Sequence, residues 1–189
     1  NVHECSLKAD AQQIAQLIDS LASEHDRLWP AQCWPRMHFD RPLGVGARGG
    51  HGPIGYVVEA WQSGRFITFR FTHPKGFHGT HRFEVVPGHQ GCFLLRHTIE
   101  MAVKGWAFLS WALVIRPLHD ALLEDALATA RASLGMAPRM RPWSPWVRIL
   151  RRVMTGGKAQ HQEIATPGVI EISLQDVPPA NAKAPNQWK

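Results

Sequence analysis

Cysteine is scarce: Cys5, Cys33 and Cys92 are the only three in 189 residues, and none forms a C-x-x-C pair. They support neither a disulfide framework nor a cysteine-built zinc site, and a reducing compartment is the default expectation. Long apolar runs are also missing. The longest, Gly105 to Ile115, lies between Lys104 and Arg116 and is 11 residues long. A membrane-spanning helix needs roughly 20. There is no charged-then-apolar leader, no G-x-S-x-G nucleophile elbow and no H-E-x-x-H metal pair. No catalytic set can be named, and no metal or cofactor is expected. The body is expected to be cytoplasmic. Acidic residues are absent from residues 136–158, which carry six basic ones.

What is present fits one folded unit. Hydrophobic residues make up 44% and charged residues 19% of the chain, enough apolar surface to build a core. The net charge of +6 would suit a nucleic-acid binder, but it is unevenly placed. Residues 1–135 carry 13 basic and 12 acidic side chains, and residues 136–189 carry 8 and 3. The body is near neutral, so nucleic acid is not an expected partner, and the surplus belongs to a C-terminal extension.

Residues 2–9 alternate as a first strand, with Asp10 placed to cap a helix. Ile14, Leu17, Ile18 and Leu21 then make an amphipathic stripe. Residues 24–36 read as a short helix or turn followed by a wet loop, and 37–40 as a short strand. Residues 42–53 are rich in glycine and contain Gly44-Val45-Gly46-Ala47-Arg48-Gly49, literally G-x-G-x-x-G. Dinucleotide binding requires a strand before that fingerprint and a helix opening inside it. Asp40-Arg41-Pro42 before and Gly50-His51-Gly52-Pro53 after offer neither, so a flexible loop at the mouth of a sheet is expected. Four alternating runs follow, starting at Ile54, Phe66, Thr80 and Cys92, and predict antiparallel hairpins. From Trp106 to Leu134 the period becomes helical, with an interruption or kink expected at Pro117. This order is α+β.

The order of elements, with Gly52-Pro53-Ile54, Gly79-Thr80-His81-Arg82-Phe83-Glu84, Leu95-Arg96-His97 and Arg116-Pro117-Leu118-His119-Asp120-Ala121-Leu122, resembles the SRPBCC superfamily. That superfamily includes START domains, polyketide cyclases, coenzyme Q-binding proteins and the birch-pollen allergen type. The text looks most like a bacterial subgroup with no assigned activity. The resemblance covers about residues 2–134. It implies a helix-grip fold, with a curved antiparallel sheet wrapped around a long C-terminal helix and a mostly apolar cavity between them. It leaves activity open, because this fold hosts binding, transfer and catalysis.

Strand phase puts His81, Phe83, Leu95, His97 and Ile99 on one inward face and gives Tyr56 the inward phase of Ile54 and Val58. On the helix, Trp111, His119 and Leu122 turn toward the same space. These nine are the candidate ligand-binding residues. The expected partner is a small hydrophobic or lipid-like molecule. The alternative is a polyketide cyclase or aromatase type of enzyme with His81 or His97 as acid/base. An inward histidine among apolar residues is equally what a hydrogen-bonded core histidine looks like. His119, Asp120 and Glu124 are equally readable as solvated charge.

Residues 136–158 form the basic extension. Trp146, Ile149, Leu150, Val153 and Met154 make an apolar helical stripe, with Arg148, Arg151 and Arg152 on the other side. Trp143, Trp146, Arg148, Arg151 and Arg152 are the candidate contacts to an anionic membrane or a partner. The competing expectation is that this helix docks on the domain's own surface. Residues 159–189 are expected to be a mostly flexible tail, with an edge strand over 169–174.

Overall fold

The computed structural model describes residues 1–155. The expectations for 159–189, including the strand over 169–174, lie outside the described residues. The strands are β1 (Val2–Leu7), β2 (His38–Phe39), β3 (Arg48–His51), β4 (Ile54–Gln62), β5 (Phe66–His73), β6 (Phe77–Pro87) and β7 (Phe93–Val103). They form one antiparallel sheet in the order β1-β7-β6-β5-β4-β3-β2. Helix α1 (Ala11–Asp19) follows β1. The long C-terminal helix runs as α2 (Ala107–Ser110), a π-helical turn (Trp111–Ile115) and α3 (Arg116–Ser133). The sheet curves around this helix, which makes the fold an α+β helix-grip. A last helix, α4 (Pro145–Met154), packs against α3.

Alternation explains the sheet's inner face. On β5, Ile67 and Phe69 are fully buried while Arg70 is exposed. Phe69 lies opposite His81, Phe83 opposite His97, and His81 opposite Ile99. The pleat therefore carries all of them to one side. Asp10 caps α1 by accepting from the backbone N–H groups of Gln12 and Gln13 at 2.8 and 2.9 Å. Ile14, Leu17 and Ile18 are buried beneath it.

Three local expectations change. Residues 24–36, expected as a short helix or turn and then a wet loop, are turns, bends and irregular backbone, and Leu28, Trp29 and Trp34 among them are core side chains rather than wet ones. Asp26 holds this segment by accepting from the backbone N–H groups of Ala22, Leu28 and Trp29, a local bonding that polarity alone does not reveal. The glycine segment is not all loop, because Arg48–His51 is a strand paired with both β2 and β4. A Cβ on Gly49 would overlap the His38 carbonyl, and one on Gly50 the Ile54 carbonyl. Glycine is needed there for close backbone approach, not for flexibility. The long helix stays continuous through Pro117. Proline has no N–H for the Leu113 carbonyl. The turn before it widens to π geometry, with the Arg116 N–H reaching the Trp111 carbonyl. The Leu113 carbonyl instead accepts from the Trp146 indole at 2.7 Å.

Candidate functional site

Between the sheet and the long helix lies a cavity of about 120 Å³. That is of the order that admits one aromatic ring. Its wall is almost entirely carbon: Phe71 and Ile99 from the sheet, Trp111 and Leu118 from the helix. Trp34, Arg151 and Met154 also border it, so the turn segment and α4 complete a cavity that the sheet and long helix begin. Pro35, Pro53 and Met154 in its wall are exposed, so the cavity reaches the surface.

Beside Arg151, the titratable side chains in this wall are histidines. His51, His81 and His119 all line it. His81 packs against both Phe69 and Tyr56, with ring centroids 4.8 and 4.9 Å away. Its Nδ1 lies 3.2 Å from His97 Nε2. His81 Nε2, His97 Nδ1 and His119 Nε2 are buried without a hydrogen-bond partner among the described residues. Two neutral imidazoles share one proton across such a bond. If His97 donates, His81 Nε2 carries a proton and acts as a donor. If His81 donates, Nε2 is an acceptor. The pair therefore offers a bound molecule either polarity, at the choice of a tautomer.

Burial sets their protonation. Desolvation, with a smaller push from the charge of His119, lowers His51 to about 4. The same two causes hold His81 and His97 well below 6.5. Desolvation also lowers His119, against the opposing hydrogen bond to Asp120. His3 behaves oppositely. Its Nε2 is 3.2 Å from Asp120 and its Nδ1 3.2 Å from Glu124. The Asp120 bond raises its pKa above 6.5, outweighing burial. Burial pushes the Asp120 carboxyl upward, but hydrogen bonds from His119, His3 and Asn1 hold it well below the usual carboxylate range. His3, His119 and Asp120 bring three ligand-type atoms within 4.8 Å of one another, and these atoms are engaged with each other, Asn1 and Glu124.

Of the nine candidate residues, His81, Ile99, Trp111, His119 and Leu122 line the cavity. Tyr56, Phe83, Leu95 and His97 are buried in the layer behind it. Phe83 packs edge-on to His97 at 4.6 Å, and His97 reaches the cavity through His81. Sequence reasoning missed His51, Phe71, Trp34 and Arg151 as wall residues. His51 pairs with Ile54, so it shares the inward direction of Ile54 once the register is known.

The extension departs from expectation at two residues. Trp143 and Arg151 are buried and are not available to a membrane surface. Trp143 donates its indole N–H to Asp125 Oδ2 at 2.9 Å, and Trp34 does the same at 2.7 Å. The Arg151 guanidinium lies 4.5 Å over the Trp34 ring and donates to the Cys33 carbonyl. A cation that stacks on an aromatic face can sit inside a protein without an acidic partner in contact. Trp146, Arg148 and Arg152 are exposed.

No known protein-family profile matches the chain, and no curated protein matches it. Solved structures do. A Thermobifida fusca protein solved by NMR aligns with 74% of this chain and 97% of its own, at 14% identity and a TM-score of 0.52. Norcoclaurine synthase from Thalictrum flavum, as a point mutant with a transition-state analogue, aligns over 71% and 92% at 17% identity and a TM-score of 0.52. CalU16 from Micromonospora echinospora aligns over 82% and 86% at 10% identity and a TM-score of 0.50. What is shared is the fold. At these identities the likeness does not carry an activity across.

Proposed function

We propose that this protein binds a small, mostly apolar molecule with at least one hydrogen-bonding group in the cavity between sheet and long helix. One observation carries the reading: an almost wholly carbon-lined cavity is bordered by His81 and His119, each with a buried Nε2 that has no partner among the described residues. Such atoms cost free energy until something bonds them. An apolar body fills the space and a hydroxyl or carbonyl meets the imidazole, the usual economy of small-molecule sites. That a structural neighbour is norcoclaurine synthase, captured with a transition-state analogue, fits use of this fold for small organic molecules.

The test compares p-cresol with toluene by calorimetry and by ¹⁵N NMR of the histidine rings. Both should bind, and p-cresol should bind more tightly and shift the His81 or His119 nitrogens. The preference for p-cresol should vanish in the His81→Phe/His119→Phe variant. Failure of both probes to bind the wild-type chain would sink the reading.

A second reading, acid/base catalysis of a cyclase or aromatase type, is favoured at His119. This residue borders the cavity while its Nδ1 stands 3.5 Å from Asp120, the orientation of a carboxylate-backed histidine. It predicts that His119→Gln abolishes turnover of a poly-β-ketone substrate and His97→Gln spares it. Equal turnover in the His119→Gln protein would reject it.

A further inference from the structure

Helix α4 docks on the domain and still leaves most of its apolar stripe uncovered. It buries Val147 and Arg151, one helical turn apart, and turns Trp146, Ile149 and Val153 outward, with Val153 76% exposed. The start of the long helix does the same with Trp106, 87% exposed, and with Phe108 and Leu113. The indole of Trp146 bonds the Leu113 carbonyl, so the two sets adjoin. Contiguous apolar surface of this kind is uncommon on a folded protein without a partner.

Charge says which partner. Residues 101–116 and 136–155 contain no Asp or Glu. Lys104, Arg148 and Arg152 are exposed, and none has an ion-pair partner among the described residues. Two copies of this face would set like charges against each other, which opposes self-association. A surface of anionic lipid headgroups over acyl chains matches both features. Arginine and lysine meet phosphate while Trp and aliphatic side chains enter the boundary layer.

We infer that the face formed by α4 and the start of the long helix is a docking surface for anionic membranes. Met154 of α4 is half exposed and also borders the cavity, so the docking helix and the cavity share a wall residue. The inference stands apart from what the cavity holds, and its failure would leave the binding reading intact.

The experiment is flotation of the full chain with vesicles of phosphatidylcholine and phosphatidylglycerol in equal parts, against phosphatidylcholine alone. The wild-type chain should float with the anionic vesicles, less so as salt rises. Ile149→Ser/Val153→Ser should release it. Arg148→Ser/Arg152→Ser should weaken binding about 25-fold, from about fivefold per basic residue. Unchanged thermal melting shows that each variant is folded, since all four positions are exposed. Two results would each overturn the inference: no flotation of the wild-type chain, or binding by both variants as tight as that of the wild-type chain. So would a wild-type dimer in analytical ultracentrifugation that Ile149→Ser/Val153→Ser dissociates.

Discussion

Five histidines in and around the cavity titrate in opposite senses, and the sum sets how the protein responds to acid. Unfolded, each titrates near 6.5. His51, His81, His97 and His119 are lowered by burial, so below that pH the unfolded chain takes up protons the folded chain refuses. Their contribution to stability is present above 6.5 and is lost as the pH falls, at up to about 1.4 kcal/mol per pH unit for each histidine. For His51 the loss continues to about 4. His3 is raised; its contribution is full below 6.5 and is lost as the pH rises through its folded value. Urea midpoints should therefore fall steadily from pH 7 to pH 5. His51→Leu should flatten that slope, and an unchanged slope in the variant would place the acid sensitivity elsewhere.

Among the elements, one carboxylate joins three that are distant in sequence. Asp125 on α3 is buried. Its Oδ2 accepts from Trp34 in the turn segment, from Trp143 before α4, and from the Cys33 thiol at 3.8 Å. Burial, together with the Asp125 charge, pushes the Cys33 thiol up to about 12, so this cysteine is expected to be inert toward thiol reagents. Removing the carboxylate takes away the acceptor of the Trp34 and Trp143 indole N–H groups. Asp125→Ala should cost about 3 kcal/mol by urea denaturation, while Asp125→Asn, which keeps one acceptor, should cost less. Equal losses would mean that packing rather than hydrogen bonding holds the junction.

For the whole molecule, the question is where the folded unit ends. Sequence pattern closes it near Gly135, after the long helix. Beyond that point Trp143 and Val147 enter the common core and Arg151 borders the cavity. Each large apolar side chain buried contributes on the order of 2 kcal/mol. We expect a chain cut after residue 135 to lose about 4 kcal/mol and to bind p-cresol more weakly than the full chain. A truncated chain that melts and binds like the intact one would make residues 1–135 a self-sufficient domain. No helix among the described residues is long and apolar enough to cross a membrane.

The sequence by itself determined what depends on local spacing. The period-two runs of β5 to β7, the stripe of α1 with its Asp10 cap, and the change to helical period after Trp106 are each written within a dozen residues. Side-chain direction follows from backbone geometry. That same logic turned His81, Ile99, Trp111, His119 and Leu122 inward, and these are the candidate residues that meet at the cavity. Only the tertiary structure decided what depends on contacts across the chain. Gly49 and Gly50 serve a strand because the His38 and Ile54 carbonyls press on them. Trp29 and Trp34 are core because Asp26 and Asp125 bond the backbone and indoles around them. Arg151 turned inward because two indole rings replace the water around its charge. Burial of a polar side chain is decided by whether a partner is waiting, and those partners lie up to 118 residues away.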